Sequence, residues 1–242
     1  LENYGYFTLA VLVASGIMML SGPISVSIMP RMVKLEAEGK REELIKVYRK
    51  ATQFVTVVAG SSSIMMVVFA EPILYVWTGD VIMVAKVAPV LQFYAMGFGL
   101  IAVGAFPYYL QYALGKLNLH IIGSMLFALI LLPTLWFATQ KYGMVGAAYA
   151  WIIVNLAYFI FWTAFVHHTY VPELHFKWLI NDIAKLLILP VSSALLLKEI
   201  FIETSRVLML VELGFIGILV FLLATISSRS TRESLATIMR FK

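Results

Sequence analysis

Five stretches of the chain run on without Asp, Glu, Lys or Arg: residues 3–30, 51–70, 87–115, 117–140 and 142–172. None alternates apolar and polar positions with the period of two that a transmembrane strand requires. Each supplies the roughly twenty apolar residues that a helix needs to cross a bilayer. The pattern predicts membrane-spanning helices at about 4–29, 51–70, 87–112, 119–138 and 143–166. Two weaker segments follow. Leu186–Leu197 is short and becomes a span only if Lys185 and Lys198 bury their stems and reach the two interfaces. Val207–Ser228 is long enough but carries Glu212, about a turn and a half beyond Arg206, which places that carboxylate at the outer interface. The expectation is an all-α, polytopic helix bundle of about seven spans. Residues 1–182 form its core, 183–228 add two helices, and 229–242 make a cytoplasmic tail.

Composition explains why lipid must be the solvent. The chain is 62% hydrophobic and 13% charged, with a mean hydropathy of +0.92, against about 45–50% and about 25% for soluble domains. The absence of cysteine excludes disulfides, zinc–thiolate sites and thiol nucleophiles. Charge placement then sets the topology. With sides alternating down the chain, Arg31, Lys34, Lys40, Arg41, Lys46, Arg49, Lys50, Lys116, Lys177, Lys185, Arg229, Arg232, Arg240 and Lys242 share one side. Only Lys86, Lys141, Lys198 and Arg206 fall on the other, so the first side is cytoplasmic, the first residue lies outside and the C-terminus lies inside. The net charge of +5 is thereby accounted for without nucleic acid. No basic region precedes the first span, so it is not a signal peptide, and a start at Leu1 reads as the C-terminal part of a longer protein.

Local patterns refine this picture. In the basic loop between the first two spans, Leu44, Val47, Tyr48 and Ala51 share a helical face, which predicts an amphipathic helix on the inner leaflet. Thr78-Gly79-Asp80 is a turn in the longest outer connection, beside Tyr75 and Trp77 of the headgroup belt. Gly97, Gly104 and Gln111 recur every seven residues on one face of the third span. The fifth span carries a small-residue stripe at Gly143, Ala147, Ala150 and Ala157, and opposite it Trp151, Asn155, Tyr158 and Trp162. Such a helix sits between a close neighbour and a cavity. Pro23, Pro89, Pro107, Pro133 and Pro190 bend five spans, as in many transporters.

No catalytic residue, metal site or cofactor site emerges. GFGLIA at Gly97–Ala102 matches a dinucleotide pattern but lacks the preceding strand and the following acidic residue. His167, His168, Glu173 and His175 fit no zinc spacing and read as solvated interfacial residues. What remains is polar groups at membrane depth, which are costly there. Gln92, Gln111 and Asn155 lie inside confident spans, and Lys116 and His120 lie at inner helix ends. Each amide either bonds a neighbouring helix or, with Tyr108 and Tyr109, lines a water-filled path.

Several segments resemble the oligosaccharide (O-antigen, Wzx-type) flippases, polysaccharide-biosynthesis members of the multidrug/oligosaccharidyl-lipid/polysaccharide superfamily that also contains the MATE transporters. GPISVSIMPRM with a basic helix ending in VYRKATQ, then AEPILYVWTGD, PYYLQYALGKLNL and KYGMVGAAYAW, are similar to that family in order and spacing over residues 4–182. The resemblance implies two helical lobes around a central cavity, with this chain supplying most of the C-terminal lobe and an N-terminal lobe completing it. It implies an undecaprenyl-pyrophosphate-linked oligosaccharide as cargo, moved across the bacterial cytoplasmic (inner) membrane by alternating access without covalent chemistry, alongside glycan polymerase and ligase machinery. By that analogy Arg31, Lys116 and His120 attract pyrophosphate, while Gln92, Gln111, Tyr108 and Asn155 contact sugar. Three rivals differ in what they require. A seven-span receptor needs signatures that are missing here, and a glycan polymerase or ligase needs a large outer loop. A MATE-like ion-coupled antiporter needs a buried carboxylate, which the first five spans do not show.

Overall fold

A computed structural model describes residues 2–202, 205–228 and 230–232. Every element in them is helical. Six helices among the described residues are long and apolar enough to cross a membrane.

The first two are α1 (Glu2–Ala37) and α2 (Arg41–Val68), joined by a tight turn in which Gly39 takes φ 71°. The expected surface-lying helix is absent as a separate element, because residues 31–50 instead prolong α1 and α2. The helical face was read correctly, but its partner is protein rather than lipid. Leu44, Tyr48 and Ala51 are buried in the main core with Met32 and Leu35 of α1. A continuous helix keeps every backbone donor bonded while that stripe finds apolar cover.

The outer connection folds as a short helix, α3 (Ala70–Thr78). Gly79, left-handed at φ 70°, ends it, and the Asp80 carboxylate accepts from the Ile82 and Met83 amides at 2.9 and 3.0 Å to start α4 (Val81–Gly104). The helix breaks at Ala105, two residues before Pro107, and resumes as α5 (Phe106–Ala113).

The next apolar stretch, Asn118–Tyr170, has 53 residues. At 1.5 Å per residue that is about 80 Å, more than twice a hydrocarbon core of about 30 Å. It comprises α6 (Asn118–Ala157), a π-helical turn (Tyr158–Trp162) and α7 (Thr163–Tyr170). Gly143 breaks α6 with φ 61° and ψ −141°. Across the break Gly146 lies against the Ala138 carbonyl, the Phe127 ring lies 5.2 Å from the Tyr158 ring, and Gly123 lies against the Trp162 indole. Each of these pairs straddles residues 142–143 symmetrically, so the stretch is an antiparallel hairpin that supplies the expected fourth and fifth crossings. The six apolar helices therefore provide seven segments of spanning length.

The sixth crossing corrects an expectation. It is not the short run 186–197 flanked by lysines. It runs over Leu174–Glu199 as α8 (Leu174–Trp178), a π-helical turn (Leu179–Ala184) and α9 (Lys185–Glu199). Asp182 lies within it and is fully buried. Ser205 caps α10 (Arg206–Ser227), the last crossing. Arg229, Arg240 and Lys242 lie outside the described residues, as does most of the expected tail.

The core is centred on α1, α2 and α4. α9 and α10 add a second apolar cluster on α2 through Ile64, Ala194, Leu213, Ile216 and Val220. Large apolar side chains such as Leu129, Phe137, Phe161, Leu196 and Phe215 cover the exterior, far beyond the patches a soluble monomer tolerates. Tertiary hydrogen bonds mark two ends of the bundle. At one end Arg41 donates to the Tyr170 carbonyl at 2.9 Å, and the Tyr170 hydroxyl donates to the Lys116 carbonyl at 3.3 Å. At the other, the Arg206 guanidinium caps α3 by donating to the Val76 and Trp77 carbonyls. Arg41, Lys116 and their basic neighbours thus gather at one end.

Candidate functional site

The glycine spacing of the third span positions the site. Gly97 of α4 backs the Trp151 indole, and seven residues on, Gly104 would place a Cβ 3.4 Å from the Phe159 ring. The near-constant offset between partners means that α4 and the second arm of the hairpin run parallel in close contact. Absent side chains permit this approach, as the small-residue pattern predicted. Below the contact the chain bends at Ala105, and α5 diverges from the hairpin. A cavity of about 360 Å³ opens there.

Its wall is built from four segments, the first being the end of α4 with Leu100, Ile101 and Gly104. α5 contributes Tyr108 and Gln111, the first arm of α6 contributes His120, Ser124 and Phe127, and the second arm with its π turn contributes Trp151, Asn155, Tyr158, Trp162 and Thr163. All four residues of the expected aromatic–polar face line it. The π turn carries Tyr158 and Trp162, and such widened turns recur at functional sites. No Asp, Glu, Lys or Arg is among the lining residues.

The two amides spend their donors in the same way, each on the carbonyl four residues back. Gln111, 2% exposed, donates from Nε2 to the Pro107 carbonyl at 3.1 Å, and its Oε1 meets no protein donor. Asn155, 5% exposed, donates from Nδ2 to the Trp151 carbonyl at 2.8 Å. Only an NH2 group can bond a carbonyl, so chemistry fixes which end of each amide is spent. The Trp151 and Trp162 indole N–H groups are also unpartnered, and they face Gly97 and Gly123, leaving the rings to the cavity.

Of the residues expected to bind cargo, the structure brings Tyr108, Gln111, His120 and Asn155 together here. The Tyr108 and His120 rings lie 4.4 Å apart. Lys116 stands beside this group at the same end, its Nζ 5.9 Å from the Tyr170 ring, without lining the cavity. Gln92 is elsewhere: its Nε2 donates to the Val67 carbonyl of α2 at 3.0 Å, the helix–helix alternative for such an amide. Arg31 is exposed on α1, away from the lining. Tyr109 packs on the Phe106 and Tyr108 rings.

A second polar cluster escaped the sequence reading. Asp182 accepts from Arg49 Nε at 2.6 Å and Nη2 at 3.0 Å, and from Gln53 Nε2 at 2.7 Å. Gln53 Oε1 in turn accepts from the Ser228 hydroxyl at 3.1 Å, which ties α2 to the end of α10. Beside it, the Tyr48 hydroxyl meets His167 Nε2 at 2.6 Å, and His167 Nδ1 meets His175 Nδ1 at 3.1 Å. His167 is therefore fully buried, which corrects the solvated reading; His168 and Glu173 are exposed as expected. No cluster suited to a metal ion occurs among the described residues. The available signal was the i, i+4 pair Arg49 and Gln53, a polar face pointing into a bundle otherwise free of charge.

Comparison with known protein families, curated proteins and solved structures finds no match.

Proposed function

We propose that the chain is part of a lipid-linked oligosaccharide flippase of the bacterial cytoplasmic membrane, with its first residue outside and its C-terminus in the cytoplasm. The observation that carries this reading is the cavity itself. Aromatic plates stand beside two buried amides whose donors are spent within their own helices, and no Asp, Glu, Lys or Arg is in the lining. Flat apolar faces with a few convergent polar groups suit a sugar ring better than an ion.

Transport here makes and breaks no bond. The sugar is held by Gln111, Asn155 and Tyr108. The pyrophosphate stays at the basic end, near Lys116, outside the cavity lining, where desolvating it is not required. His120, which lines the cavity, is withdrawn from the pyrophosphate set. The acyl chain stays in the bilayer, which the apolar exterior of the hairpin permits. The remaining lobe of the protein closes the path, and both lobes rock between the two membrane faces. Gln92 is withdrawn from the binding set, since it does not line the cavity and instead bonds the Val67 carbonyl of α2.

The test is complementation in a strain lacking its own flippase, using the full-length protein. Wild type restores surface glycan, while Gln111→Ala, Asn155→Ala and Lys116→Ala lose it and accumulate lipid-linked glycan on the cytoplasmic leaflet. Unchanged display in all three removes the assignment. Restored resistance to organic cations, with no glycan phenotype, favours a small-molecule antiporter instead.

A further inference from the structure

The two amides of the cavity commit the same half of their chemistry. Both NH2 groups are committed to the carbonyl four residues back in their own helix, and Gln111 Oε1, itself buried, has no protein donor. A ligand that reaches either side chain therefore meets spent donors and must bring its own. A carboxylate or phosphate brings only acceptors, and it would lie against two carbonyl oxygens in a site with no lysine or arginine. Burying an unpaired anion among apolar groups is strongly unfavourable.

The aromatic groups specify shape. Trp151 is stacked on Tyr94 at 5.2 Å with 14° between the planes, and Trp162 on Tyr158 at 6.0 Å with 21°. Each indole is thus held as a fixed plate with its N–H turned into the wall. A ring with a C–H face and a rim of hydroxyls matches plates beside acceptors. An organic cation is the less suited occupant, because no carboxylate compensates its charge. The volume of about 360 Å³ lies near the small end for ligand pockets, so the cavity holds one unit of a chain rather than the whole chain.

We infer that this cavity is a selectivity site for an uncharged, hydroxyl-rich ring and that it turns away anionic rings. The inference deepens the flippase reading and rests on it only for the identity of the cargo. It adds that the glycan unit held beside Asn155 is neutral, while charge on the cargo stays at the Lys116 end.

The test is a fluorescence titration of the full-length protein in nanodiscs, since Trp151 and Trp162 both line the cavity. Methyl glucoside, glucuronate and tetramethylammonium serve as probes. Methyl glucoside is expected to quench saturably, and glucuronate to bind at least about tenfold more weakly, as for a site built around hydrogen bonds that the wrong ligand cannot complete. Gln111→Met and Asn155→Leu are expected to abolish the methyl glucoside signal, and Gln92→Leu to leave it intact; an unchanged thermal transition shows that each variant is folded. Equal binding of glucuronate, tighter binding of tetramethylammonium, or no sugar signal at all overturns the inference. Failure here with glycan display still dependent on Gln111 leaves the flippase reading standing. Selective sugar binding with display independent of Gln111 leaves the site standing and removes the flippase.

Discussion

The cavity beside Asn155 and the cluster around Asp182 are both made of buried polar side chains in apolar helices, yet they are completed differently. In the cluster every principal group is answered within the protein: Asp182 by Arg49 and Gln53, Gln53 by Ser228, His167 by Tyr48, and the Trp178 indole by Thr52 at 3.0 Å. In the cavity Gln111 Oε1 has no protein donor. A closed network fixes helices to one another, whereas an open one recruits something from outside. The cluster ties the π-helical turn before α9 and the end of α10 to α2.

The largest effect expected from this contrast comes from breaking the closed network. Asp182→Ala leaves Arg49 facing a buried gap, and loss of one partner of such a pair costs about 3–5 kcal/mol. Thermal unfolding in detergent should show a large fall in midpoint. The double variant Arg49→Met with Asp182→Leu should recover most of it, since the uncompensated charge is gone. A single variant as stable as wild type would show that the cluster is not what holds α9 and α10.

A smaller loss is expected at the shared wall of the cavity. A Cβ at Gly97 collides with the Trp151 indole, so Gly97→Ala must separate α4 from the hairpin or displace that plate, at about 1–3 kcal/mol. Sugar quenching of fluorescence should fall with it. Normal quenching in this variant would mean that Trp151 is not a ligand contact.

The smallest effect belongs to the turn between α1 and α2. Lys40 donates to Glu38 at 2.8 Å and holds its carboxyl below the usual range. A carboxylate whose folded pKa is depressed adds stability at neutral pH, and that contribution is lost as pH falls through the folded value. Both groups are fully solvated, so Glu38→Gln should leave the midpoint unchanged at pH 7 and at pH 4. A measurable shift would make this turn part of the stabilising network.

How far the sequence revealed these regions follows from the kind of signal each leaves. Uncharged runs announced five crossings, because lipid demands an apolar side chain at nearly every outward position. The helical spacing of Trp151, Asn155, Tyr158 and Trp162 announced a cavity-facing stripe, and all four line it. Asp182 concealed the sixth crossing. A charge normally ends a span, and here its partner Arg49 lies 133 residues away, beyond the reach of any local pattern. The face of Leu44, Tyr48 and Ala51 was equally visible, but periodicity does not distinguish a protein partner from a lipid one. Gln92 and Gln111 show the same limit: they are identical amides at spanning depth, but Gln92 bonds a carbonyl of the neighbouring helix, whereas Gln111 bonds one of its own helix and lines the cavity.

That last pair supplies the most direct test of the central claim, that open polar groups mark the cargo site. Surface glycan is measured in flippase-deficient cells carrying the full-length protein with Gln111→Leu or Gln92→Leu, at matched protein levels and matched thermal midpoints. Loss of display with Gln111→Leu and retention with Gln92→Leu is the expected result. Display retained with Gln111→Leu would contradict it.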